Sequence, residues 1–319
     1  MNNNKQFIVS HAPFWHNGSS ITERNYHILL ATLPALLFGI IQYGVNAFAV
    51  TCLAISTAMF WELIMNKVTK RPVTIGDGHA AVIGMLFAMM LPATVPWWLV
   101  LIGTFLAIVI GKQIFGGIGS NAFNPIALAF AILMVSWPNY LDLDTSLVNY
   151  DFNFLAAAPL TALKYLGPEA VKGYSLSGLF LGQQASAIGS GFGLGLVIGG
   201  LYLIVRGFIR WEIVFAFIAG VVVAAMLFNI TDPSRFGGPA IHLLSGYTLF
   251  GAIFLATDDS SSPVNFIPML LYGATGGVMT VLIRNIGVYA DGVMYAVLVA
   301  NLLNPLLDKI RPQAIGKVV

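Results

Sequence analysis

Apolar residues along the chain gather into runs that end at Pro, Gly or charge. Ten such segments are read, roughly 26–44, 46–65, 79–93, 97–113, 123–137, 191–209, 211–229, 241–257, 266–284 and 292–307. About 20 apolar residues in a helix cross the roughly 30 Å hydrocarbon core of a bilayer. Several of the runs are short for that task. Lipid cannot satisfy bare backbone groups, so a short or broken segment implies irregular backbone buried in protein or lining a cavity. The predicted fold is an all-α integral membrane protein of about ten transmembrane helices. Its expected divisions are an N-terminal segment 1–25, a first five-helix unit 26–137, a long connection 138–190, a second five-helix unit 191–308 and a tail 309–319.

The segment from His79 to Ala131 can be laid over Gly246 to Leu298. Each reads as a short helix with an inner glycine (Gly84, Gly251), a break, and a Gly-rich long helix ending in a cation, Lys112 or Arg284. A Gly-containing loop then leads to a short helix opening at Asn124-Pro125 or Asp291-Gly292. Five spans is an odd number, so the two units are expected to cross in opposite senses, as inverted repeats with short or broken helices. Chance self-similarity in a small apolar alphabet is the alternative.

An even number of spans returns both termini to one side. With that side cytoplasmic, of the 15 Lys and Arg residues only Lys164, Lys172, Arg235 and Arg284 fall outside, and the other orientation inverts the ratio. The long connection 138–190 is then extracytoplasmic, where a loop of that length is more often functional than a plain linker. Residues 1–25 carry Phe7, Pro13, Phe14 and Trp15 without a signal-peptide core and cleavage site, so a retained, cytoplasmic N-terminus is expected.

Composition strengthens the membrane reading. The chain of 319 residues is 58% apolar and 9% charged, against roughly 25% charged in soluble domains. A soluble domain, a disordered chain and a nucleic-acid binder are excluded on that ground, and the net charge of +2 reports topology rather than an acidic partner. One cysteine, Cys52, permits no internal disulfide, iron–sulfur cluster or cysteine zinc site.

Against that apolar background the ionisable side chains near the spans are the candidates for chemistry, because a charge in hydrocarbon costs roughly 2.5–3.5 kcal/mol or more. Glu62, Asp77, Lys112 and Asp291 are the candidates for an ion pathway, with Asp258 and Asp259 following the eighth run. Helix-end capping is the other reading for Lys112 and Asp291. For Glu62 it is snorkelling or a pair with Lys67. Gly76-Asp77-Gly78 lacks the lysine and spacing of a nucleotide loop, Met85, Met89 and Met90 read as packing, and His79 and His242 read as satisfied by hydrogen bonds rather than as ligands. No metal site is expected.

Four stretches carry a resemblance. They are Ile75-Gly76-Asp77-Gly78, Leu91-Pro92-Ala93-Thr94-Val95-Pro96-Trp97-Trp98, Ile110-Gly111-Lys112-Gln113-Ile114-Phe115-Gly116-Gly117 and Phe123-Asn124-Pro125. Together with 254–258 and 300–305, they resemble the D subunit of the Rnf ion-translocating ferredoxin:NAD oxidoreductase complex, a relative of the B subunit of the sodium-pumping NADH:quinone oxidoreductase. The resemblance covers nearly the whole chain. It implies a translocase subunit in the bacterial inner membrane, incomplete as an enzyme by itself, within a machine that couples electron transfer to Na+ or H+ movement. Its implied partners are the other subunits, the lipid bilayer and the ion, with no nucleic acid.

The resemblance also implies FMN joined by a phosphoester to a threonine in the long loop, and riboflavin as a further flavin. The matching stretch here is Leu155-Ala156-Ala157-Ala158-Pro159-Leu160-Thr161, and the threonine position is Ala158. A methyl group cannot form a phosphoester, so covalent FMN at Ala158 is excluded. Three alternatives stay open: flavin held without a bond beside Ala158 and Pro159, attachment at Thr161 one helical turn on, or no flavin. Nicotinamide and cluster sites would belong to partner chains, as neither signature occurs here. A stand-alone channel or secondary transporter, and a cofactor-free scaffold, are the competing functions.

Overall fold

The first helix begins where a cap dictates, ahead of the first apolar run. In the computed structural model, which describes residues 20–148, 150–155 and 157–310, Ser20 Oγ accepts a hydrogen bond from Glu23 N at 3.1 Å and α1 spans Ile21–Tyr43. Gly44 then turns the chain at φ +70°, a conformation that side chains resist, straight into α2, Val45–Val68. The first half continues with α3 (His79–Met90), α4 (Trp97–Gln113, π-helical over Leu106–Gln113) and α5 (Pro125–Ser136). Asn124 Oδ1 caps α5 by accepting from the amides of Ile126 and Ala127, each at 3.0 Å.

Short turns and one longer helix, α6 (Pro159–Leu166), occupy the connection. The second half comprises α7 (Gly193–Val205), α8 (Trp211–Thr231), α9 (Pro239–Leu244), α10 (Thr248–Phe250, continued as the π-helical Gly251–Leu255), α11 (Phe266–Ile286) and α12 (Val293–Leu307). All regular structure among the described residues is helical. The expected segment 1–25 is described only from residue 20. Ala156 and residues 311–319 of the tail also lie outside the described residues.

Four helices, α1, α2, α8 and α11, are long and apolar enough to cross a membrane, and the other apolar helices are shorter. The run read at 241–257 is two helices, broken at Ser245-Gly246-Tyr247 with Gly246 at φ +68°. A 12-residue helix such as α3 reaches only about 18 Å, so its end must find partners inside the protein. It does so. Gly189 N donates to Met89 O at 2.9 Å, Ile188 N to Leu91 O at 3.1 Å and Tyr247 Oη to Met90 O at 2.8 Å. Residues 184–190, the last part of the connection, are accordingly buried irregular backbone. Tyr43 holds them in place, its hydroxyl donating to Ser186 O at 2.7 Å and accepting from Ser186 N at 3.1 Å.

Asparagines do the same work at the far end of α10. Asn124 Nδ2 donates to Leu255 O at 3.1 Å, while Asn301 Nδ2 donates to Ser261 O at 3.1 Å and to Tyr272 Oη at 2.6 Å. Asn301 Oδ1 accepts from Asn124 N at 2.9 Å and so ties α5 to α12. Helices α8 and α11 make the most extensive packing contact, and glycine permits it: a Cβ at Gly273 would lie 2.5 Å from Ile213 O.

Charge separates the two ends. Arg24, at the start of α1, pairs with Asp259 at 2.5 Å and donates to Phe208 O at 3.2 Å, and Arg71 donates to Gly116 O at 2.8 Å. The opposite end holds Lys164 and Arg284.

Candidate functional site

Three arrangements carry the polar chemistry: a buried ion pair at the Arg24 end, a second at the Lys164 end, and a cavity beside the second.

Glu62 sits on α2, one helical turn before Asn66, and Lys112 sits in the π-helical end of α4. A π-turn displaces side chains from the ordinary helical register and is frequent at functional sites. Lys112 Nζ lies 2.7 Å from Glu62 Oε1, with both side chains essentially inaccessible, at 1% and 0% exposure. Glu62 therefore pairs with Lys112 rather than with Lys67. Thr74 Oγ1 donates to the same carboxylate oxygen at 2.8 Å and accepts from Asn66 Nδ2 at 3.0 Å. Glu62 Oε2, although buried, has no hydrogen-bond partner among the described residues. A cavity of about 160 Å³ borders the pair, room for several waters.

Asp77 stands close by in a single 3-10 turn before α3. Its Oδ1 accepts from His79 N at 2.8 Å and its carbonyl accepts from Asn25 Nδ2 at 2.8 Å. Burial raises its carboxyl above the usual range, against the opposing pull of the His79 amide and of Lys112.

The second pair is Arg284 and Asp291, 3.0 Å apart. It is set into the break between α9 and α10. Arg284 donates to His242 O at 2.6 Å, Ser245 O at 3.4 Å and Thr248 Oγ1 at 2.8 Å. Asp291 accepts from Tyr247 N at 2.7 Å and from Val293 N at 3.1 Å. The cation meets the carbonyl end of one helix and the carboxylate the amide ends of two others, the arrangement that helix dipoles favour.

Ala158, Pro159, Thr161 and Asp291, read separately in the sequence, line one cavity of about 360 Å³ at this end. Phe130, Tyr247 and Tyr289 give it aromatic walls. Ala158 is the residue before α6, and its amide donates to Asp144 Oδ1 at 2.6 Å. A carboxylate already occupies the place at this helix N-terminus where an anion would bind. Lys164, further along α6, directs its ammonium at the carbonyls of Arg284, Gly287 and Tyr289, at 3.1, 2.6 and 2.7 Å. Burial lowers the Lys164 pKa.

The structure thus joins Glu62 to Lys112, with Asp77 beside them, and puts Asp291 at the other end with the flavin-motif positions. Sequence reading missed Thr74, Asn66, Asp144 and Tyr247, whose side chains or amides are brought to the site by the fold and carry no motif of their own. It also took His242 as satisfied, whereas both ring nitrogens are buried without a partner among the described residues, as is His79 Nδ1.

Comparison with known proteins agrees with this architecture. Residues 8–316 match the model of the NQR2, RnfD, RnfE family. The chain is 34% identical to the D subunit of the proton-translocating ferredoxin:NAD(+) oxidoreductase complex of Clostridium ljungdahlii, over 95% of this chain and 94% of the relative. It is 33% identical to the D subunit of the Na(+)-translocating ferredoxin:NAD(+) oxidoreductase complex of Acetobacterium woodii, over 98% and 96%. The identity is also 33% to the D subunit of the ion-translocating oxidoreductase complex of Aeromonas salmonicida, over 97% and 99%. The chain belongs to the NQR2, RnfD, RnfE family, and it is a multi-pass membrane protein.

Proposed function

We propose that this family member is the membrane subunit of a redox-driven ion pump, in which electron transfer between ferredoxin and NAD is coupled to Na+ or H+ translocation by a multi-subunit complex. The observation that carries the reading is near full-length similarity, at about a third identity, to subunits named for that complex. Relatives named for H+ and for Na+ stand at 34% and 33%, so identity favours neither ion. We read the helices as ten crossings in two inverted halves, in an inner membrane with the Arg24 end cytoplasmic, on the strength of the basic residues gathered there. The connection 138–190 then lies on the extracytoplasmic side.

The chain's own residues suit two tasks. The first is to hold a flavin at the Lys164 end. The aromatic walls and small Ala158 suit a planar ring system, while the missing hydroxyl and the Asp144 carboxylate at the Ala158 amide do not suit a phosphoester there. A bound flavin would supply one-electron redox chemistry. Tyr247 and Tyr289 would pack against it and exclude water, and Thr161 offers a hydroxyl at the cavity wall. The second task is ion access. Glu62 and Lys112 form a charge pair with one carboxylate oxygen unpartnered among the described residues beside a cavity, a pair that a change of local charge can open. Asp77 and Asp291 act by fixing the helix ends that frame the route.

The test is flavin analysis of the purified complex before and after acid precipitation, with peptide mapping of any flavin that stays attached. Acid-released flavin assigned to this subunit is the expected result. Flavin retained on a peptide containing Thr161 would replace the non-covalent reading, and absence of flavin would move the electron path to other subunits. Ferredoxin-dependent Na+ or H+ uptake into proteoliposomes tests the pump. Uptake by the isolated subunit without a redox donor would mark it as a transporter in its own right.

A further inference from the structure

Behind α6, a second chamber of about 290 Å³ adjoins the aromatic cavity and shares Leu160, Tyr165 and Ala290 with it. Its character is different. Arg235, Arg284 and Lys164 line it, and no carboxylate does. Three of its lining residues hold buried polar atoms without a partner among the described residues: Arg284 Nε, Asn285 Nδ2 and both ring nitrogens of His242. Arg284 and His242 are 3% and 1% exposed.

Leaving a buried donor unmade costs about 1–3 kcal/mol, more for a charged group, so several in one chamber call for an acceptor. Arginine and the asparagine amide nitrogen only donate, and a neutral imidazole offers one N–H whichever nitrogen carries it. Lys164 is spent on carbonyls at the end of α11 and just beyond it, yet its charge remains at the wall. Asp291 offsets Arg284, and Lys164 and Arg235 still leave the wall positive; donors converging there select an anion with several acceptor oxygens.

We propose that this chamber binds a phosphate-type anion, the head group of an amphiphile whose apolar part lies in the adjoining aromatic cavity. Leu160, Tyr165 and Ala290 border both chambers, one largely apolar and one donor-rich, so a ring or chain in the first would lie next to a phosphate in the second. The proposal rests on the donor set of the second chamber and stands whether or not the apolar part is a flavin. If it is one, its phosphate is held here by hydrogen bonds, away from Ala158 and Asp144.

The experiment uses the purified, delipidated complex and pairs of probes that differ in the phosphate: FMN against riboflavin, phosphatidic acid against phosphatidylcholine in nanodiscs, and inorganic phosphate alone. Binding is read by flavin fluorescence, by native mass spectrometry and by thermal shift. At least one phosphate-bearing probe is expected to bind tenfold or more tightly than its phosphate-free counterpart. Asn285→Asp, which supplies a carboxylate to the same donors, is expected to abolish that advantage while leaving riboflavin affinity unchanged. Arg235→Gln, at an exposed position, gives a second variant whose folding is safe, with a several-fold loss expected.

The responding pair identifies the source as nucleotide, lipid or free phosphate. Phosphate binding without riboflavin binding would retain the anion site and discard the flavin reading. Equal affinities within every pair together with no response to inorganic phosphate, or full phosphate binding by Asn285→Asp, would show that the chamber holds water only and overturn the proposal.

Discussion

Lys112 and Arg284 each lie in the last turn of a helix, and each is buried against a carboxylate, yet the two pairs are wired differently. Around Arg284 and Asp291 both carboxylate oxygens and both terminal guanidinium nitrogens are committed to backbone or side-chain partners across the α9–α10 break. Around Glu62 and Lys112 there is one short contact, one threonine, and a carboxylate oxygen without a partner among the described residues. In the Arg284–Asp291 pair the carboxylate and the two terminal guanidinium nitrogens are engaged, and only Arg284 Nε is left over among the described residues. The Glu62–Lys112 pair keeps one carboxylate oxygen without a partner among the described residues and borders a cavity. Buried ion pairs contribute little net stability because desolvation offsets attraction, and the Arg284–Asp291 pair earns its place by completing broken helices.

The sharpest way to break this contrast is to remove one cation. Arg284→Ala strands Asp291 and the last carbonyls of α9, and is expected to cost about 3–5 kcal/mol, seen as a large drop in the detergent melting temperature. Little change would show that the break is held by packing alone. Lys164→Met tests the neighbouring cap. It removes two bonds to the end of α11 and one to Tyr289 just beyond it and is expected to cost about 1–3 kcal/mol, with increased proteolysis of the connection 138–190.

Replacing the Glu62–Lys112 pair together sharpens the comparison from the other side. Glu62→Leu with Lys112→Met leaves few orphaned partners, so stability should stay within about 1 kcal/mol or rise, while redox-driven ion uptake is lost. Retained uptake would remove the pair from the ion route. The smallest effect is expected at Asp77. Its raised pKa means that the folded state holds the proton more tightly than the unfolded one. Stability is therefore gained as pH falls through the folded pKa toward 3.8, the ordinary value. Asp77→Asn should flatten that part of the pH–stability profile by less than about 1 kcal/mol.

Hydrophobic runs made most of the helices legible, because length and apolarity are local properties. The misses have physical causes. Reading α1 from its first apolar stretch overlooked the Ser20–Glu23 cap, which sets the start by hydrogen bonding. The break at Ser245-Gly246-Tyr247 was hidden by apolar neighbours, although Ser-Gly marked it. Residues 184–190 are small and polar enough to read as loop, and only Tyr43 and the end of α3 explain their burial. At the site, Glu62, Lys112 and Asp291 were visible as charges out of place. Their partners were not, since Glu62 and Lys112 are joined by folding rather than by sequence spacing.

The end of α3 has a consequence for how the protein is made. Its last carbonyls wait for Ile188, Gly189 and Tyr247, all translated well after Met90 has left the ribosome. At synthesis rates of about 5–20 residues per second, helix α3 spends on the order of ten seconds in the insertion machinery with its terminus unmet. The first half therefore cannot mature alone, and a nascent chain stalled before residue 188 should stay with the insertase or be degraded.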